Sequence, residues 1–440
     1  MFRSVIPAAL MLAAALTGCG GGGGGSGTVT PQVVNGVTIT AGFISTPSSF
    51  IPSLVSGKFD GVNQYVVLSG WYRQDLTPPP VKVYKLNQDG TAADATVAVL
   101  GSEHSISVNY PLVADFNHDG IDDIFFPGFT DDPGTPNNPS YAFISRAGQS
   151  HQRVAVPGLA ASHGSTVVDI NGDGHVDVIN SQGHMWLNDG TGQFSFRQGL
   201  NWQNGYPDSI GGSSVCAGDF DQSGTAQVVA IDLYLNGTLP IQDSYIFKFD
   251  ANLGPVKQAV LPMPWFDRAN TGIEDSHDVS CVVGDVNNDG WQDVIVVSAK
   301  MQTTTPQSVV QIYLNRGNWQ FDDVTTTAMM GWSTDVLSSY TPKLHDFNGD
   351  GKLDIWLMDW DNWGRNSNQL WLNSTAVSFT KTKQTDLDRL LLDFRTATNS
   401  SANTMGIMLP VKINGKWNFA FTASTYNKIY IGYANTQWVF

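Results

Sequence analysis

The sequence predicts an all-β protein built as a seven-bladed β-propeller, and three observations carry that expectation. An acidic nonapeptide with oxygen-bearing side chains at positions 1, 3, 5 and 9 and glycine at position 6 occurs five times. Each copy runs into a short stretch that is apolar on both faces, such as Asp293-Val294-Ile295-Val296-Val297. A second motif, an aromatic strand ending in a polar turn, recurs seven times from Val83 to Tyr433 at intervals of about 58 residues, a length that suits one four-stranded sheet with its turns. Strands that are apolar on both faces need cover on both. Sheets arranged radially provide that cover and leave only short protected edges, so a ring is favoured over a linear array of metal-stapled modules.

Composition agrees with this class. At 440 residues, 41% of them hydrophobic, the chain can bury a large core, and its 45 glycines and few helix-favouring runs point to strands and turns. The net charge of −16 disfavours nucleic acid and anionic membrane as partners. Calcium in the five nonapeptides would offset more than half of that charge, so the acidity reads as unfilled ligand rather than as an acidic face.

The chain begins with a targeting segment. Arg3 supplies a positive start, Val5 to Leu16 an apolar run too short to span a membrane, and Leu16-Thr17-Gly18-Cys19 resembles a bacterial lipobox. Residues 1–18 are thus expected to be a lipoprotein signal peptide, with Cys19 lipidated after cleavage. Gly20 to Gly25, Ser26 and Gly27 cannot pack, and 19–43 reads as a flexible tether before a propeller over 44–440. This places the protein at the bacterial cell envelope, touching the membrane through its lipid alone, as a monomer facing the periplasm or the surface.

The nonapeptides read as metal loops. They are Asp115, Asn117, Asp119 and Asp123; Asp169, Asn171, Asp173 and Asp177; Asp219, Asp221, Ser223 and Gln227; Asp285, Asn287, Asp289 and Asp293; and Asp346, Asn348, Asp350 and Asp354. The main-chain carbonyl at position 7 (Ile121, His175, Thr225, Trp291, Lys352) offers a further oxygen. A hard cation that takes six to eight oxygens suits such a set, and calcium suits it better than magnesium, which keeps several waters. Carboxylates this close repel one another without a cation between them. The copy at Asp219 holds two carboxylates instead of three and is expected to be weak or empty. An EF-hand is excluded, because position 12 is Phe126, Asn180, Ala230, Val296 or Leu357 rather than a bidentate Glu, and strands flank the loops.

Two cysteines remain. Cys216 lies three residues before Asp219 and Cys281 four before Asp285, on strands leading into consecutive loops and on opposite faces of them. A disulfide between neighbouring sheets and a pair of small buried hydrophobes both fit.

The strand-and-turn motifs include Met185-Trp186-Leu187-Asn188-Asp189-Gly190, Ile312-Tyr313-Leu314-Asn315-Arg316-Gly317 and Leu370-Trp371-Leu372-Asn373-Ser374, and the last is Ile429-Tyr430-Ile431-Gly432-Tyr433. The first repeat has only Phe59-Asp60-Gly61-Val62-Asn63, and the last only Ile413-Asn414-Gly415-Lys416, where the others carry a metal loop. Ser280 to Asp293, together with Leu187-Asn188-Asp189-Gly190-Thr191-Gly192-Gln193-Phe194, resembles the FG-GAP and VCBS repeats of integrin-α-like propellers, over about residues 45 to 440. The resemblance implies calcium at the four intact loops and only partly at the one beginning with Asp219. It says little of function, because the repeat family includes adhesins, lectins, polysaccharide lyases and proteins of unknown role.

If every metal loop joins the innermost strand to the next, all five lie on one face, and the opposite loop face is left to bind a ligand. Candidates there are Trp71, Arg73, His104, His163, Trp202, Trp360, Trp363 and Arg365, with Trp265, Asp267 and Asp278 nearby. Aromatic rings beside charged groups suit sugars, whose ring faces stack and whose hydroxyls need fixed polar partners. The expected function is therefore recognition of glycan or protein in adhesion. The alternative is a polysaccharide lyase or hydrolase using His277 with Asp275 or Glu274, from a stretch holding acid, base and hydroxyl groups. HExxH, GxSxG, a phosphate-cradling glycine loop and paired metal-binding cysteines are all absent from the sequence.

Overall fold

The structure is a computed structural model that describes residues 32–34, 37–45, 50–72, 80–88, 91–106, 110–128, 139–158, 164–199, 214–231, 244–269, 276–300, 307–330, 340–359, 368–375, 377–382, 405–425 and 428–434. Blade one comprises Phe50–Gly57, Tyr65–Tyr72, Lys82–Leu86 and Ala92–Asp94. Blade two comprises Leu112–Ala114, Asp123–Phe126, Tyr141–Arg146 and Gln149–Ala155, and blade three Ser165–Val168, Asp177–Asn180, Met185–Asn188 and Phe194–Arg197. Blade four comprises Val215–Gly218, Gln227–Ala230, Tyr245–Phe249 and Pro255–Val260, and blade five Ser276–Gly284, Asp293–Lys300, Gln307–Asn315 and Phe321–Asp323. Blade six, Tyr340–His345, Asp354–Asp359, Gln369–Thr375 and Ser378–Lys381, takes Met329–Met330 as an added parallel edge strand. Within each blade consecutive strands pair antiparallel, first to fourth.

The protein is thus an all-β propeller, but its blades of continuous chain number six, not the seven that the motif count predicts. The seventh motif, at Ile429, belongs to a composite sheet. There Met405–Ile413, Lys416–Thr425 and Lys428–Ala434 from the C-terminal part are completed by Val37–Ser45 and Gln32–Val34 from the N-terminal part. Val37 to Ser45 pairs along Lys428–Ala434, so strands occupy part of the stretch read as tether. The first strands of the sheets neighbour one another in succession, and Met405–Ile413 neighbours both Phe50–Gly57 and the second strand of blade six, which closes the ring.

The two-faced apolar strands explain themselves in this packing. Val294 and Val296 face blade four and pack with Val229, Ile231 and Ile246, whereas Ile295 and Val297 face blade six and pack with Ile355, Leu357 and Trp371. The same alternation sets the cores between blades one and two, two and three, and three and four. Each core is shared by two sheets, so a blade alone would leave one face wet. Cys216 and Cys281, on the first strands of blades four and five, are disulfide-bonded with Cα atoms 5.9 Å apart. Of the two arrangements the sequence leaves open, the bridge is the one formed.

Candidate functional site

The five acidic loops each connect the first strand of a blade to the second, and so crown one end of the ring as a rim. Position 2 of each loop is a buried hydrophobe (Phe116, Ile170, Phe220, Val286, Phe347) that anchors the loop between blades. Two backbone positions require the left-handed region. Glycine at position 6 has φ between 78° and 90°, and position 4 (His118, Gly172, Gln222, Asn288, Gly349) also has positive φ. A Cβ at Gly120, Gly174 or Gly351 would meet nothing within 4 Å, so backbone conformation rather than space selects glycine there.

Backbone N–H groups aim the side-chain oxygens. In the loop at Asp285, Asp285 Oδ1 accepts from Asp289 N at 3.1 Å and Oδ2 from Gly290 N at 2.8 Å. Asn287 Oδ1 accepts from Asp289 N at 3.0 Å, and Asp289 Oδ1 from Trp291 N at 2.9 Å. Asp293 is fully buried, accepting from Val286 N at 2.9 Å on Oδ2 and from Asn315 N at 2.9 Å on Oδ1. The pattern repeats at Asp123, Asp177 and Asp354. Burial pushes Asp293 up to about 7 against its two hydrogen bonds, and the charges of Asp289 and Asp285 push the same way. Burial likewise raises Asp123 and Asp177 to about 6, and raises Asp354, with the neighbouring loop carboxylates again adding to the effect.

Among the described residues no three His, Cys, Asp or Glu side chains form a ready-made cluster. The donor set of a loop is instead mixed: two exposed or half-buried carboxylates, one buried carboxylate, an Asn amide oxygen and a position-7 carbonyl. All are hard oxygens, and the buried carboxylate is held where its charge is unfavourable without a cation. The residues at the four intact loops therefore fit a calcium ion. In the loop at Asp346, Lys352 Nζ donates to Asp350 Oδ2 at 2.9 Å and to Ser374 O at 3.2 Å, so a lysine already touches one donor.

Two other loops are neutralised by the chain itself. In blade four, Gln227 takes position 9: its Oε1 accepts from Phe220 N at 2.6 Å, as the Asp would, while its Nε2 donates to Asp221 Oδ1 at 2.9 Å. Lys248 Nζ pairs with Asp221 Oδ2. In blade one, Asp60 accepts from Asn63 Nδ2 at 2.6 Å and Tyr65 Oη at 2.9 Å, and Lys85 Nζ lies 3.8 Å away. Burial opposes ionisation of Asp60, but these bonds and those from the Asn63 and Val62 amides hold it down at about 2.

Lys85 and Lys248 are equivalent positions. Each follows the third-strand residue that pairs with the second residue of the adjacent strand, Tyr84 with Val66 and Phe247 with Val228. The corresponding residues in the intact blades are Ile144, Leu187, Leu314 and Leu372. A lysine stands at this register only where the carboxylate set is incomplete.

Side chains that the sequence reading placed in turns tie the rim together. Asn188 Nδ2 donates to Phe116 O, Asn315 Nδ2 to Phe220 O and Asn373 Nδ2 to Val286 O, each at 2.8 Å and each into the loop of the preceding blade. All three asparagines are buried. Their signal was the Asn repeated after Leu187, Leu314 and Leu372. Position 4 reaches the next loop as well: Gln222 Nε2 donates to Gly290 O at 2.9 Å, Asn288 Nδ2 to Gly351 O at 3.1 Å, and the His118 and His175 rings share a 2.8 Å hydrogen bond.

The other candidates fare differently. Cys19, Arg73, His163, Trp202, Glu274, Asp275, Trp360, Trp363 and Arg365 lie outside the described residues, and Trp71 and His277 are placed as backbone only, opposite Ile51 and Ala299. His104 is tied down by Ser102 and the Leu100 carbonyl and meets the Phe143 ring edge-on at 4.9 Å. Trp265 is stacked under Arg268. Asp278, fully buried, bonds the hydroxyls of Ser244 and Ser298, and Ser276 Oγ accepts from Phe266 N at 3.0 Å. Two members of the acid, base and hydroxyl stretch thus belong to the packing of blade five.

With this geometry in hand, residues 169–230 and 285–357 match the FG-GAP-like repeat family. No curated protein matches the chain. Among solved structures it is similar to the Tc holotoxin pore of Photorhabdus luminescens, at 14% identity and a TM-score of 0.37, covering 90% of this chain and 19% of that one. It is also similar to a rhamnogalacturonan lyase of Bacillus licheniformis, at 13% identity and a TM-score of 0.39, covering 90% and 75%. A sialidase of Trypanosoma rangeli follows, at 11% identity and a TM-score of 0.38, covering 88% and 55%. The chain spans about a fifth of the toxin chain, and these likenesses concern the fold alone.

Proposed function

We propose that the protein is a calcium-stabilised recognition propeller, anchored at the bacterial envelope through a lipid on Cys19, that binds glycan or protein by the loop face opposite its acidic rim. The observation that carries this reading is the donor arrangement of the four intact loops. Amide-aimed oxygens around a buried, repelled carboxylate are what a structural cation stabilises. Four ions at one end fix the rim and leave the loops of the other end free to vary, the usual division between scaffold and binding surface. Blades one and four take no ion in this scheme. The alternative, a lyase or hydrolase, would use His277 with Asp275 or Glu274, beside Ser276 and Asp278, which are engaged in packing.

The test presents the calcium-loaded protein with a panel of uronic-acid polysaccharides and neutral glycans. Binding without unsaturated product, lost in Trp363→Ala, supports recognition; turnover abolished by His277→Ala would replace it with the lyase. Mass spectrometry of the mature N-terminus checks the anchor, and an unmodified Cys19 would remove it.

A further inference from the structure

The first strands of the sheets enclose a cavity of about 780 Å³ along the axis of the ring. Its wall is chiefly Val, Leu, Ala, Ser and Thr, and no Asp or Glu is among its described lining residues, in a protein whose net charge is −16. Two ammonium groups enter it instead, from Lys343 of blade six and Lys412 of the composite sheet, together with His345 and Trp417. His345 stacks on Trp417 at 4.6 Å, and Lys412 Nζ lies 5.2 Å from the centre of the same ring. Lys343 pairs across the sheet with Trp356, a fully buried hydrophobe, and no carboxylate among the described residues bonds it. His345 immediately precedes Asp346, so the group sits at the acidic-loop end of the cavity.

An ammonium group set into the cavity wall, as the half-buried Lys343 is, is costly unless paired, whereas Lys412 reaches the cavity from an exposed position. Burial drives Lys343 below the usual ammonium range. Four lysines elsewhere are answered by carboxylates: Lys82 by Glu103, Lys85 by Asp60, Lys248 by Asp221 and Lys352 by Asp350. Here the described lining supplies two positive groups and no carboxylate, in a space large enough for a small molecule.

We propose that this end of the axial cavity binds a small oxyanion, a carboxylate or a sulfate-like or phosphate-like group, held between the ammonium groups of Lys343 and Lys412. Trp417, packed against His345 and Phe347, walls one side. The site lies at the opposite end of the ring from the proposed recognition loops, and its failure would leave that reading standing.

Isothermal titration of the calcium-loaded full chain with succinate and, separately, inorganic sulfate at constant ionic strength tests it. One saturable site per chain is expected with at least one probe. Succinate alone assigns a carboxylate ligand, and sulfate alone a tetrahedral oxyanion. Lys343→Met and Lys412→Met should each weaken binding at least tenfold, Lys343→Arg should keep it, and Lys381→Met, outside the cavity, should not change it. Thermal melts guard against a misfolded variant: without probe, Lys343→Met should melt no lower than the parent, because it removes an unpaired enclosed charge. No saturable heat with either probe, or parental affinity in both methionine variants, would overturn the proposal.

Discussion

The rim contains two kinds of loop that solve the same electrostatic problem differently. At Asp115, Asp169, Asp285 and Asp346 the loop carries three carboxylates, and the third strand holds Ile144, Leu187, Leu314 or Leu372 at the register where the other kind has lysine. At Asp60 and Asp219 the carboxylates are fewer, the buried acid at position 9 is replaced by Tyr65 or Gln227, and a lysine at the equivalent third-strand register pairs with a loop carboxylate. Under the proposed function the first kind takes a cation from solution, whereas the second carries one in its own sequence. Metal dependence should therefore be uneven around the ring, concentrated in blades two, three, five and six.

Removing calcium should produce the largest effect. An ion present at a hundred times its dissociation constant stabilises a site by about 2.7 kcal/mol, so four sites in a chain of this size correspond to a loss of roughly 10 °C in melting temperature on chelation. Scanning calorimetry with and without chelator measures it, and titration calorimetry should count four ions. A melting temperature indifferent to chelation would abolish the distinction between the two kinds of loop.

Single substitutions separate them more finely. Asp289→Ala should reduce uptake from four ions to three and lower the melting temperature by about 3 °C, the share of one site. Asp221→Ala, in the self-neutralised loop, should leave uptake unchanged. It should cost about 1 kcal/mol or less, because its partner Lys248 is partly exposed. Equal effects of the two changes on ion count would contradict the contrast.

Local pattern and long-range register account for what could be read in the sequence. The loop spacing, position-6 glycine and apolar second strands are local, and they announced both the propeller and the rim. The blade count failed because Val37–Ser45 follows a glycine-rich stretch and finds its partner, Lys428–Ala434, almost four hundred residues away. Lys85 and Lys248 carried no signal, since their meaning depends on which strand residue they stand beside. The inter-blade role of Asn188, Asn315 and Asn373 was hidden in a motif that also makes good turns. The pairing of Cys216 with Cys281 needed the distance between two sheets.

Proton competition gives a smaller effect with a definite sign. Without metal, Asp123, Asp177 and Asp293 have folded-state values raised to about 6 to 7 from 3.8, so each favours the native state in its protonated form. That contribution is complete below the unfolded value and is lost as pH rises through 6 to 7. Calcium binding requires these groups ionised, so the rise in melting temperature that calcium produces should be greatest near pH 8 and shrink below pH 6. Taking the difference between loaded and chelated protein at each pH removes the common contribution of His104 and His184, whose values burial lowers. A calcium increment that grows on acidification would show that the position-9 carboxylates are not ligands.

The smallest change in stability belongs to the most direct experiment on the contrast. Ser223→Asp with Gln227→Asp raises blade four from two carboxylates to four, one more than an intact loop because position 3 there is Asp221 rather than Asn, and Lys248→Leu removes the ammonium and places the residue type found at Leu187, Leu314 and Leu372. The triple variant should bind five ions where the parent binds four, and its stability should change from calcium-indifferent to calcium-dependent in blade four alone. Lys248→Leu by itself should gain no ion, because Gln227 still presents an amide donor where an oxygen anion is required. If the triple variant still counts four, then something other than the lysine and the missing carboxylates keeps that loop closed to metal, and the equivalence of ammonium and cation would fall with it.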